Sequence, residues 1–186
     1  MIVTLSGITG IGKSFFKNVI VDELKFKNMV IVTTRAKRKN EIDGIDKNFV
    51  SNEQFEMLKS NNEIAVDFNF LGSKYGYKVN DLKLDENQVT EVHYNTIYEF
   101  KKNAKNVFAI YMIPSDFERA KKELLKRELP KDVEEKRLKE IEEHIKEFNS
   151  NKDLQKQFDY IFINDYTENS KNKLLDVIRQ RLKGEM

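Results

Sequence analysis

The sequence predicts an α/β fold: a mainly parallel sheet covered on both faces, with a small β-rich lobe inserted over residues 31–80. Three observations carry this. Short apolar runs rich in β-branched residues alternate with longer stretches of helical spacing, the pattern of strands joined by crossover helices. Val107 to Ile113 is continuous and apolar, as befits a central strand. Residues 31–80 break that rhythm, being polar with strands that alternate at period two.

Taken in order, Ile2 to Leu5 reads as a buried strand, and Phe16, Val19, Ile20 and Leu24 set a helix from Lys13 to about Lys27. Met29 to Val32 is a second strand. Ser51 opens a helix with Gln54 three residues on, a capping-box pattern. Ile64, Val66, Phe68 and Phe70 alternate with Ala65, Asp67 and Asn69, so this is a half-buried strand, and Gly72 and Gly76 bracket a turn. Val89 to His93 is another strand, and Ser115 with Glu118 caps the helix after the central one. Residues 116–149 are helical and highly charged, interrupted at Pro130. Tyr160 to Ile163 is the last strand, and Leu174, Leu175, Ile178 and Leu182 stripe a terminal helix.

Composition narrows the function classes. The chain has 186 residues, 33 basic and 31 acidic side chains and a net charge of +2. That balance argues against a nucleic-acid partner, which calls for a large basic excess. No apolar run approaches the ~20 residues of a membrane span, and the start has too short an apolar run for a signal peptide. Cysteine is absent, which excludes disulfides and thiolate chemistry and fits a reducing cytoplasm. Two histidines, His93 and His144, are too few for a histidine metal cage; His93 reads as an ordinary strand-end residue and His144 as solvent-facing. A soluble, cytoplasmic, single-domain protein is expected.

Gly7-Ile8-Thr9-Gly10-Ile11-Gly12-Lys13-Ser14 fits G-x-x-x-x-G-K-[ST] between a predicted strand and a predicted helix. Glycines Gly7, Gly10 and Gly12 let the backbone wrap phosphate oxygens, and the N–H groups at the helix start face the anion. Lys13 can follow the phosphoryl group of a bound nucleotide under transfer and Ser14 can hold Mg2+. The loop alone does not separate a kinase from a nucleotide hydrolase. Downstream, Arg35 and Arg38 lie on a polar stretch with Tyr75 on the same lobe; two guanidinium forks and a phenol suit a phosphate dianion.

Thr33-Thr34-Arg35, Arg38, Glu41-Ile42-Asp43-Gly44-Ile45-Asp46 and Phe49-Val50-Ser51 follow in an order that resembles the guanylate kinase family. The resemblance continues through Glu53, Phe55, Asn62-Glu63 and Tyr75-Gly76 and resumes at Phe158 to Asp165. It implies a P-loop nucleoside monophosphate kinase fold in one domain, 1–186: a core of 1–30, 81–115 and 150–186, an NMP-binding lobe of 31–80 and a helical lid of 116–149. It also implies transfer of the ATP γ-phosphate to GMP or dGMP. Arg35, Arg38 and Tyr75 would hold the acceptor phosphate, Arg127 and Arg137 would neutralise the transferring group with Lys13 and Arg38, and Asn164 would stand on the adenine side.

The base pocket departs from the family pattern. Ile31 and Val32 stand where a serine is usual, Lys47 where an aromatic is, and Tyr77 where a small hydroxyl residue is. An ungapped alignment puts Val66 at the guanine-reading glutamate; a one-residue shift puts Asp67 there, and strand periodicity favours Asp67 as base reader. Glu91 and His93 replace two aspartates; Glu91 is expected beside the acceptor, within reach of magnesium, and His93, besides its reading as a strand-end residue, could bond to the base or to Glu91. In the lid, Glu128-Leu129-Pro130-Lys131 replaces a Gly-Thr-Glu stretch, and Glu123 stands where a further arginine is expected. Two other readings stay open: a kinase for another or a modified deoxynucleoside monophosphate, and a binding protein of the same fold without turnover.

Overall fold

The computed structural model describes residues 1–126 and 129–185. Along the chain come β1 (Ile2–Gly7), α1 (Lys13–Leu24), β2 (Lys27–Asn28), β3 (Val32–Thr33), β4 (Asn48–Phe49), α2 (Asn52–Ser60), β5 (Ile64–Phe70), β6 (Ser73–Lys78) and α3 (Val79–Lys83). Then follow β7 (Gln88–Glu91), α4 (Ile97–Asn103), β8 (Val107–Pro114), α5 (Phe117–Leu125), α6 (Lys131–Ser150), α7 (Lys152–Gln155), β9 (Tyr160–Asn164) and α8 (Glu168–Lys183). A parallel sheet of order β2-β7-β1-β8-β9 forms the core.

Both faces of β1 and β8 are buried, which is why these strands read as continuous apolar runs, whereas the edge strand β9 leaves Ile161 and Ile163 exposed. Val3 and Leu5 of β1 and Phe108, Ile110 and Met112 of β8 pack on one side with Phe16, Ile20, Leu124, Ile141, Leu174 and Ile178. Ile2, Ala109 and Tyr111 face the other side, against Ile97, Phe100, Phe148 and Phe158. Successive side chains of a strand point to opposite faces, so the two cores share the same strands.

The lobe is a second sheet of order β4-β3-β6-β5. Here two expectations need correction. The Met29 to Val32 strand is divided between the sheets: Met29 N–H donates to Val89 in the core, 3.0 Å, whereas Val32 pairs with Gly76 in the lobe. An apolar run signals burial and does not say in which layer. Gly76, expected at a turn, lies inside β6; a Cβ there would stand 2.9 Å from Ile64 Cγ2 and 3.1 Å from Phe55 Cζ. The turn is Leu71-Gly72, both at positive φ, as a two-residue hairpin needs. The capping box forms as expected: Gln54 N–H donates to Ser51 Oγ and Ser51 N–H to Gln54 Oε1.

The 116–149 segment makes two helices, α5 and α6. The cap of α5 is Asp116 rather than Ser115; its carboxylate accepts from the Glu118 N–H at 2.9 Å. Among the described residues no helix is long and apolar enough to cross a membrane.

Candidate active site

A cleft of about 1210 Å³ opens at the carboxyl ends of β1 and β7, where parallel α/β sheets place ligands. Its floor is the loop from Gly7 to Ser14. Gly10 is at φ 88°, and a Cβ there would collide with the carbonyl oxygen of Ala120, so no other residue fits. The loop delivers its amides to the start of α1, whose dipole adds positive potential. Lys13 Nζ lies across the loop and donates to the carbonyls of Gly7, 2.7 Å, and Ile8, 2.8 Å.

Ser14 Oγ donates to Glu91 Oε1 at 2.8 Å. Burial opposes the charge on Glu91, but Lys47, Lys13 and Lys17 and the Ser14 hydroxyl outweigh it and draw its pKa down to about 2. A hydroxyl and an ionised carboxylate side by side are hard oxygen donors that fit Mg2+, with nucleotide oxygens and water completing the shell. Glu91 meets Ser14 at the phosphate loop because its position at the end of β7 is next to β1, and it lines the same cleft as Arg35, Arg38 and Tyr75. Lys17, one helical turn beyond Lys13, is buried at 7% exposure and lines the cleft. Its i, i+4 spacing from Lys13 is the signal that sequence reading passed over.

On the lobe side, Arg35 Nη2 donates to Glu41 Oε1 at 2.6 Å and its guanidinium lies 5.5 Å from the Phe49 ring centroid. The Arg38 backbone N–H donates to Glu41 Oε2 at 2.8 Å. Burial would raise the Glu41 pKa; hydrogen bonds from Arg35 and Arg38 overcome it and lower it. One carboxylate thus holds both arginine residues at the cleft, where Tyr75 also stands. Lys47, next to these groups, is pushed down by burial, with Glu91 opposing the shift.

Asp67 is not brought to the site. It faces outward and pairs with Lys59 at 2.7 Å, while Val66, Phe68 and Phe70 point inward and Phe68 and Phe70 line the cleft. The alternation identified the strand correctly. The inner face of this strand looks onto the cleft as well as the core, so the apolar set is the pocket set.

Asn164 lines the cleft with its amide engaged by the backbone. Its Nδ2 donates to the Ile11 carbonyl at 2.9 Å and its Oδ1 accepts from the Tyr166 N–H at 2.8 Å, so it ties the phosphate loop to the segment after β9. Beside it, the Arg119 guanidinium lies 4.7 Å from the Tyr166 ring centroid, a shelf at the cleft edge that sequence reading missed. Arg137 of α6 reaches the cleft at 9% exposure, over the Phe70 ring at 5.8 Å. Arg127 lies outside the described residues.

Both histidines also reach the cleft. His144, expected in solvent, is 2% exposed and stacks on Tyr94 with centroids 3.6 Å apart. Arg137, Ile141, His144 and Phe148 form one heptad-spaced buried stripe of α6; the abundance of charge around them hid it. His93 packs 5.4 Å from Phe68, 5.2 Å from Phe70 and 4.5 Å from Tyr94. Burial and neighbouring His144 drop its pKa to about 4.

Comparison with known proteins gives a consistent result. A family model described as guanylate kinase matches residues 1–181. A guanylate kinase of Mesoplasma florum is 27% identical over 183 residues, 95% of this chain and 60% of that protein. One from Malacoplasma penetrans is 28% identical over 189 residues, 97% of this chain and 93% of that protein. The chain thus spans less than two thirds of the first relative and nearly all of the second. The crystal structure of guanylate kinase from Anaplasma phagocytophilum shares the fold, with a TM-score of 0.73 at 22% identity over 97% of this chain and 85% of that one.

Proposed function

The chain belongs to the guanylate kinase family, and on that premise we propose that it transfers the γ-phosphoryl group of MgATP to GMP or dGMP, giving ADP and GDP or dGDP. One observation carries the reading. The complete Gly7–Ser14 loop with its Ser14–Glu91 pair and the Arg35–Glu41–Arg38 cluster with Tyr75 line the same cleft.

In this reading the Gly7–Ser14 amides and Lys13 hold the donor phosphates, and Arg119 with Tyr166 flanks the adenosine side. Ser14 and Glu91 would hold Mg2+, which when bound screens the charge on the phosphates. Arg35, Arg38 and Tyr75 bind the acceptor phosphate in the lobe of 31–80. An acceptor phosphate oxygen forms the new bond to the γ-phosphorus as the bridge to the β-phosphate breaks, its electron pair leaving on ADP. That oxygen is already anionic near neutral pH, so positioning and charge neutralisation by Lys13, Arg38, Arg137 and Arg127 suffice, without a general base. Arg137 arrives on the lid, 116–149, whose Glu140 accepts from Thr9 Oγ1 at 3.3 Å on the loop itself. The use of ATP and a nucleoside monophosphate supports a cytoplasmic enzyme in this reading. A pure binding module would have no use for Lys13 and Ser14 in this geometry.

ADP release with MgATP and a set of monophosphates tests the proposal. GMP and dGMP are expected to turn over, and Lys13→Ala is expected to lose at least about a hundredfold in kcat with the circular dichroism spectrum kept. Turnover of ATP without an acceptor, or wild-type rates in the variant, would refute it.

A further inference from the structure

The cleft beyond Tyr75 is closed by aromatic rings and imidazoles. Phe68 stacks on Tyr75 with centroids 5.1 Å apart and an 11° interplanar angle, and the box continues through Phe70, His93, Tyr94 and His144. Tyr75 belongs both to this box and to the acceptor-phosphate cluster, which makes the box the space for the acceptor's base. Flat apolar walls suit a stacked heterocycle.

Each described carboxylate near the box is already engaged. Glu91 accepts from Ser14, Glu41 from Arg35 and Arg38, Glu147 from the Tyr94 hydroxyl at 2.6 Å, and Glu140 from Thr9. Asp67 is outside, on Lys59. The Tyr77 hydroxyl donates to the Glu91 carbonyl at 2.7 Å. His144 is different. Neither ring nitrogen makes a hydrogen bond although the side chain is buried and lines the cleft. Its Nδ1 lies 3.4 Å from Glu140 Oε1, close but not aligned as a hydrogen bond. With the Nδ1 proton drawn toward that carboxylate, Nε2 carries a lone pair, a single neutral acceptor. A buried acceptor without a donor is costly, so a ligand N–H is the group that satisfies it.

We propose that His144 is the specificity-determining residue of the acceptor site, accepting from the N1–H of a 6-oxopurine stacked among Phe68, Phe70, His93 and Tyr94. This rests on the kinase reading above and widens its acceptor class from guanine to 6-oxopurine monophosphates with or without the 2-amino group. A carboxylate pairs with both N1–H and the 2-amino group of guanine; one imidazole nitrogen pairs with N1–H alone. Hypoxanthine has N1–H and no 2-amino group. Adenine presents a lone pair at N1 and would face the His144 lone pair; thymine has an N3–H that His144 could accept from, but offers one ring rather than two to the aromatic walls.

Steady-state ADP release with MgATP and GMP, IMP, AMP or dTMP tests this. Expected are kcat/KM values for GMP and IMP within about tenfold of each other, with AMP and dTMP below both. His144→Phe is expected to raise the acceptor KM for GMP and IMP by a similar factor, about three- to tenfold for one neutral hydrogen bond, with the KM for ATP unmoved. The wild-type GMP/IMP ratio needs no variant and so stands whether or not His144→Phe folds. A preference for GMP over IMP beyond about tenfold, or AMP or dTMP as best acceptor, overturns the inference and leaves the kinase intact. No turnover with any monophosphate overturns the kinase reading, and the inference with it.

Discussion

Arg35 is oriented by Glu41 before any phosphate arrives, so it binds an acceptor without first losing side-chain freedom. Replacing it by alanine removes a charge-assisted contact of ~1.5–3 kcal/mol. The expected result is an acceptor KM raised roughly ten- to a hundredfold, with a smaller change for ATP, by steady-state kinetics. Asp67→Asn, in contrast, should leave base preference untouched, because that carboxylate meets only Lys59 on the solvent face. His93 offers a pH signature. Its pKa falls from 6.5 in the ordinary case to about 4 here, through burial and then His144 and Lys13, with Glu140 and Glu147 opposing. Between those values the unfolded chain binds a proton that the folded one refuses, so stability declines as pH falls through that window and this group adds nothing further below it. The melting midpoint is therefore expected to drop less from pH 7 to pH 4.5 in His93→Phe than in the wild type, as read by thermal denaturation.

Elements were legible where a local rule decides them. The capping box at Ser51 and Gln54 and the alternation from Ile64 to Phe70 depend on neighbours in the chain, and both form. The stripe of α6 was equally present at 137, 141, 144 and 148, but its histidine and arginine look like surface residues until Tyr94 and Phe70 are placed against them. Gly76 lay beyond any local rule. It is glycine because Ile64 and Phe55 close over it from another strand and a helix. Gly76→Ala should overpack that contact and cost ~1–3 kcal/mol, measured as a lower urea midpoint at unchanged slope.

At the scale of the molecule, the core sheet, the lobe and α5 and α6 share buried cores and all contribute residues to the cleft, so ligands bound there touch all three and stabilise the whole. ADP and GMP together, each at about a hundred times its Kd, should stabilise by about 2.7 kcal/mol per site. For a chain of this size that raises the melting midpoint by roughly 10–20 °C for the two sites, read by differential scanning fluorimetry. Either nucleotide alone should give about half the shift.

The sequence by itself determined the layered α/β fold, the phosphate loop and the arginine pair. Strand and helix periodicity and the loop spacing are properties of contiguous residues. What only the tertiary structure decided is which groups face the cleft. Phe68 and Phe70 rather than Asp67 line it, Glu91 serves Ser14, Asn164 braces the loop, and His144 is buried. A strand has two faces and a helix many, and the choice among them is made by what other elements bring to each face, at separations of tens of residues that no local pattern records.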